Sequence, residues 1–142
     1  MSNHIYVKYN EGMPELKKFS LGDWVDLYTE EEVVLKKGDF KIVSLGVVIM
    51  LPDGYEALLV PRSSTFKNFG VIQTNSIGII DESYSGEGDI WGLPVYATRD
   101  VVIPKHSRIC QFRIIQHQPT LNFIKTDLVS CKSRGGFGST GV

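Results

Sequence analysis

Short apolar runs separated by polar turns dominate this chain. The candidate strands are Ile5–Tyr9, Val33–Leu35, Lys41–Leu51, Tyr55–Val60, Val71–Gln73, Ile77–Ile80, Ile90–Thr98, Val101–Ile103, Arg108–Gln116 and Leu121–Lys125. They are rich in Val and Ile, as strand positions are. Lys36-Lys37-Gly38-Asp39, Pro52-Asp53-Gly54 and Pro104-Lys105-His106-Ser107 provide turn chemistry between them. Only Ser63–Asn68 can form a helical turn. Many short strands at regular spacing predict an all-β fold, a sandwich or a barrel.

The pattern changes in the last twelve residues. Cys131 to Val142 hold Gly135, Gly136, Gly138 and Gly141 among Ser133, Ser139 and Thr140. Composition alone favours a disordered terminus. Arg134 and Phe137 interrupt the glycines, however, and a flexible arm with one cation and one ring can close over a ligand.

Composition narrows the field. A chain of 142 residues fits one domain, and 42% hydrophobic content is ordinary for a soluble protein. A net charge of −1 leaves no electrostatic footprint for nucleic acid. The longest apolar run, Leu45 to Leu51, is far below the roughly 20 residues of a membrane span. The polar start, Met1-Ser2-Asn3-His4, lacks the apolar core of a signal peptide. Cys110 sits in a strand-like run and Cys131 in a polar stretch, so a cytoplasmic, disulfide-free protein is expected. Neither Cys/His metal spacing nor a Gly-rich phosphate loop with Lys-Ser/Thr is present.

Four patches carry candidate chemistry. In Gly78-Ile79-Ile80-Asp81-Glu82-Ser83-Tyr84-Ser85-Gly86-Glu87 an apolar run ends in a carboxylate, and a ring follows three residues on. An acid at the end of a strand is held by rigid backbone and can take a proton from water; most acids in turns, by contrast, are solvated turn formers. Pro61-Arg62-Ser63-Ser64-Thr65 offers hydroxyls and a guanidinium suited to an anion, or a helix cap by Ser63 or Ser64. In Arg108-Ile109-Cys110-Gln111-Phe112, period two places Ile109, Gln111 and Arg113 on one face, which also suits a rim strand in water. Asp26, between Val25 and Leu27, is expected to be partly buried. It then needs a partner: a backbone amide, an Arg, or the water shell of a cation.

Taken in order, these patches resemble the trimeric dUTPases, which hydrolyse dUTP to dUMP and pyrophosphate. Asp26-Leu27, Pro61 to Ser64, Gly78 to Tyr84 with Gly86, Arg108 to Gln111, and Arg134-Gly135-Gly136-Phe137-Gly138-Ser139-Thr140-Gly141 follow the family's series across nearly the whole chain. The resemblance implies that Asp81 is the base for the attacking water, beside Ile80. It implies that Tyr84 packs under the deoxyribose and that Asn75 reads the uracil edge. Arg62, Ser63, Ser64, Gln111 and the flanking Arg108, with Lys67 near, would bind phosphate. Phe137 would stack on uracil, with Arg134, Gly138, Ser139 and Thr140 near the terminal phosphates. Mg²⁺ would be carried by the triphosphate, with Asp26 and Gln111 reaching it only through water. The implied subunit is a jelly roll over residues 1–127, with residues 128–142 as the arm, in a homotrimer with shared sites. Three features differ from the family pattern, one of them the atypical composition of Gly88-Asp89-Ile90-Trp91-Gly92 after the Asp81 turn. Trp24-Val25 stand where a small residue and Gly are usual, and Arg134 lies only three residues before Phe137.

Two rivals remain. A dCTP deaminase of the same fold would need a different pattern at the Asp81 turn. A nucleotide-responsive regulatory protein, with a protein partner in a phage setting, would hydrolyse little; an intact Asp81 and Tyr84 argue against lost catalysis. Trp91 is either core or pocket lining.

Overall fold

The computed structural model describes residues 4–19, 21–129, 132–138 and 141. Eleven strands and one helical turn follow one another: β1 Tyr6–Tyr9, β2 Val25–Tyr28, β3 Val33–Leu35, β4 Phe40–Ser44, β5 Val47–Met50, β6 Tyr55–Pro61, α1 Thr65–Phe69, β7 Val71–Gln73, β8 Gly78–Asp81, β9 Gly92–Ala97, β10 Val101–Ile103 and β11 Arg108–Gln116. The all-β expectation holds. The strands form a four-stranded sheet, β2-β11-β6-β8, a three-stranded sheet, β4-β9-β7, and two pairs, β1-β5 and β10-β3. Every pairing is antiparallel.

One core joins them. Leu27, Ala57, Leu59, Ile109 and Phe112 enter it from the four-stranded sheet, and Val43, Val71, Leu93, Val95 and Ala97 from the three-stranded one. Trp91, almost fully buried, meets the Phe112 ring edge-on at 5.2 Å and 81°. That geometry suits the ring quadrupoles.

Four expectations need correction. The run Lys41–Leu51 is two strands, because the chain breaks at Gly46. There φ is 65°, and a Cβ would lie 2.6 Å from Met13 Sδ. β4 thus joins β9 while β5 joins β1. On β11, Ile109 and Gln111 do not share a simple face. A register shift against β2 between Arg108 and Cys110 puts Ile109 and Cys110 both in the core, as an extra residue in one strand does. Leu121–Lys125 forms no strand; Phe123 and Ile124 stand exposed at 89% and 78%. Finally, Val25–Tyr28, not foreseen as a strand, pairs with β11.

Cys110 is buried and burial pushes its thiol up, so it behaves as an inert core residue. Cys131 lies outside the described residues. Among the described residues no helix is long and apolar enough to cross a membrane.

Candidate active site

Asp81 is the last residue of β8. Pairing with β6 fixes it there, with Asp81 opposite Glu56 and Gly78 opposite Leu59. Gly78 suits this close approach, since a Cβ would lie 3.1 Å from Leu59 Cβ. The chain then turns tightly. Tyr84 N donates to Asp81 O at 3.0 Å, and Ser83 N donates to Asp81 Oδ2 at 2.8 Å. Ser83, through its side chain and its backbone N–H, holds the Asp81 carboxyl below the usual carboxylate range, and nearby His117 adds to this. A carboxylate that accepts such bonds is favoured in its charged form.

A cavity of about 550 Å³ opens beside this turn, lined by Asn75, Gly78, Ile80, Asp81, Tyr84 and Trp91 among others. Tyr84 is half exposed, and its hydroxyl donates to Ile90 O at 3.2 Å, closing the loop that follows β8. Trp91 combines both roles expected of it, core and lining. Asn75 stands on the turn from β7 to β8, where Ser76 N donates to Gln73 O at 3.3 Å. The structure therefore brings Asp81, Tyr84, Asn75 and Ile80 to one cavity.

The second group gathers at the other end of β6. Asp26 of β2 pairs with Arg62 Nε at 3.2 Å and Arg108 Nη1 at 3.5 Å. Arg62 Nη1 also donates to Arg108 O at 3.2 Å. Of the partners open to Asp26, the arginines are the ones it takes. Gln111, across from Asp26, donates Nε2 to Pro61 O at 3.1 Å. Ser64 occupies the N-cap of α1, yet its hydroxyl makes no cap bond. Thr65 ties the loop instead, accepting from Arg62 N and donating to Ile109 O, both at 2.8 Å. The Ser63 and Ser64 hydroxyls are thus not consumed by capping.

Removing the Asp26 carboxylate should cost stability. Asp26 is 15% exposed and Arg62 24%, while Arg108 at 48% is better screened. Asp26→Ala leaves two guanidinium groups without their shared anion, and a loss of about 1–3 kcal/mol is expected in denaturant unfolding. An unchanged midpoint and slope would mean that water already screens the cluster.

Among the described residues, no three His, Cys, Asp or Glu side chains converge to hold a metal ion directly. Asp26 spends both oxygens on arginines, and Gln111 Oε1 takes no donor among the described residues. Such donors fit a hydrated ion brought in on phosphates, not an ion caged by protein.

The arm is only partly described. Phe137 is fully exposed, with φ 49°, and neither it nor Arg134 lines the cavity. Gly138 has φ 81°. Ser139 and Thr140 lie outside the described residues. Lys67 sits in the last turn of α1 and joins none of the ion pairs among the described residues.

Two neighbours of the site escaped sequence reasoning. His117, just past β11, has Nε2 3.8 Å from Asp81 and Nδ1 3.7 Å from Glu82. Gln73, the last residue of β7, bonds Asn75 from below. A polar side chain ending the apolar run Val71-Ile72 was the signal for Gln73. For His117 the sequence held none, since its contact depends on the β11–β6–β8 pairing.

Comparison with known proteins finds deoxyuridine triphosphate hydrolases. A family profile described as dUTPase matches residues 25–141. The SPbeta prophage-derived deoxyuridine 5'-triphosphate nucleotidohydrolase YosS of Bacillus subtilis is 54% identical over 139 residues, covering 97% of this chain and 98% of its own. In fold, the Staphylococcus bacteriophage 80alpha dUTPase solved with dUPNHPP superposes with a TM-score of 0.83 at 22% identity, covering 99% of this chain and all of its own. A mutant dUTPase of phage phi11 of S. aureus, described with a structural Mg(II) ion, gives 0.75 at 18% identity, over 88% of this chain and 99% of its own. The chain belongs to the dUTPase family.

Proposed function

We propose that this protein hydrolyses dUTP to dUMP and pyrophosphate, using water activated by Asp81 and Mg²⁺ carried by the substrate. One observation carries the reading: the Asp81 carboxyl, held by Ser83, lines a cavity that Tyr84 and Asn75 also line. Asp81 accepts the proton as the water oxygen bonds to the α-phosphorus. The bond to the bridging oxygen breaks, and pyrophosphate leaves. Tyr84 packs against the sugar and leaves no room for a 2′-hydroxyl. Asn75 reads the base. Arg62, Ser63, Ser64 and Gln111, with Arg108 beside them, hold the phosphates. When bound, Mg²⁺ neutralises phosphate charge and orients the triphosphate.

The layout supports a site shared between copies, as the proposed homotrimer requires. Asp81 stands opposite Glu56, and Arg62 follows six residues further along β6 and its end. At about 3.3 Å per residue the two groups are roughly 20 Å apart. A water on Asp81 must lie about 3–3.5 Å from the phosphorus it attacks. Asp81 of one chain therefore suits phosphates held by Arg62 of another copy. Residues 1–127 form the body and residues 128–142 the arm that closes over a site.

Incubation with each deoxynucleoside triphosphate, and with UTP, in Mg²⁺ tests the reading when pyrophosphate and ammonia are assayed separately. Pyrophosphate should come from dUTP alone, without ammonia, from a species of about three times 15.9 kDa in sedimentation. Ammonia from dCTP would point to deamination. A fully active monomer would overturn the shared site.

A further inference from the structure

Gln73 lies beneath the base-reading turn, 6% exposed. Its Nε2 donates to Leu59 O at 3.0 Å and to Asn75 Oδ1 at 2.9 Å. The polarity of this chain is forced. A peptide carbonyl can only accept, so the Gln73 atom facing Leu59 O is the amide nitrogen. That nitrogen gives its other hydrogen to Asn75, so the Asn75 atom facing it is the oxygen. Asn75 Nδ2 is the half turned away, on a residue that lines the cavity, and it takes no partner among the described residues. A backbone carbonyl of β6 thus decides which half of the Asn75 carboxamide meets a ligand.

We propose that Gln73 is the positioning residue for base specificity, locking Asn75 so that it presents a donor to the pyrimidine. A donor at that place donates to the 4-oxo group of uracil and opposes the 4-amino group of cytosine. The inference rests on the reading of Asn75 as the residue that meets the base. Asn75 sits on an exposed turn, and free of Gln73 its amide could rotate and offer oxygen to cytosine as readily. Gln73 Oε1, moreover, is buried without a partner among the described residues. A buried orphan acceptor costs stability that an apolar side chain would avoid. A carboxamide kept at that cost is explained by its bond to Asn75.

The test compares kcat/KM for dUTP and dCTP, both read as pyrophosphate release. Gln73→Met keeps the length and removes both donors. The ratio of dUTP to dCTP efficiency should fall about tenfold or more, while kcat on dUTP stays near native. A purely structural role would lower activity on both substrates together and leave the ratio unchanged. Gln73→Glu offers Asn75 only acceptors, turns its Oδ1 to the cavity, and should lower the ratio further. Asn75→Ala separates the two readings: if it leaves the ratio intact, Asn75 does not read the base. If it collapses the ratio while Gln73→Met, folded by its thermal transition, preserves it, the role of Gln73 is overturned. The native protein gives an answer even where a variant does not fold. On titration with dUMP, the Asn75 side-chain amide protons should shift in NMR spectra and those of Gln73 should stay; unmoved Asn75 amide protons would overturn the proposal.

Discussion

Asp81→Asn should lower kcat on dUTP by about 10²–10⁴-fold, the usual contribution of a positioned base. The change keeps size and one acceptor oxygen, so the Ser83 N–H bond that shapes the turn survives. What disappears is basicity. An amide cannot take the proton of the attacking water, so binding of dUTP should persist by calorimetry while pyrophosphate release collapses. Near-native turnover would remove Asp81 from the role of base. The pH profile gives a second readout. The Ser83 hydrogen bonds hold Asp81 below the usual carboxylate range, so it stays ionised at neutral pH. Its protonation takes activity away only as pH falls through that lowered value. A limb of the native profile near neutrality therefore belongs to another group.

The Asp81 turn was legible because its logic is local. An apolar run that ends in an acid, with a ring and a glycine at fixed offsets, needs only the β8 turn to be assembled. Asp26 was legible in part. Its place between Val25 and Leu27 required a partner, but the choice of Arg62 and Arg108 follows from β2 and β6 flanking β11 in one sheet. No period in the sequence encodes that register. The break at Gly46 was hidden for a similar reason: both halves of Lys41–Leu51 are apolar, and only contact with Met13 shows why the chain bends. The bulge before Cys110 likewise overturned a period-two reading of β11. Leu121–Lys125 has the composition of a strand, yet composition supplies no partner edge, and without one its apolar side chains stand in water. Gln73 was placed in the right strand. Its carboxamide drew no question, because strand reading counts faces and does not follow hydrogen bonds.

The arm carries the second large effect. Deleting Ser133–Val142 should leave the body folded and cut kcat/KM by about 10²-fold or more, the scale on which loss of positioning acts. Within the described residues, 132–138 are exposed and make no ion pair or side-chain bond to the body. The core, drawn from β2 to β11, does not include them. On the proposed reading, their contribution arises when substrate is bound. Ordering each residue costs about 1–2 kcal/mol of backbone entropy, and the glycines raise that cost. Only new contacts can offset it. In the proposed mechanism Phe137 provides one by stacking on the base, worth about 1–3 kcal/mol by alanine replacement in other base-stacking proteins. Phe137→Ala should accordingly be milder than the deletion, because the phosphate contacts of the arm remain. Arg134→Ala separates two versions of the clamp. A large loss assigns a phosphate contact to its guanidinium. A silent change beside a severe deletion leaves the clamp to backbone N–H groups and to the hydroxyls of Ser139 and Thr140. Unchanged turnover in the deletion itself, measured as pyrophosphate release at low dUTP, would remove the arm from the mechanism, and the site would then have to exclude water with the cavity of Tyr84 and Trp91 alone.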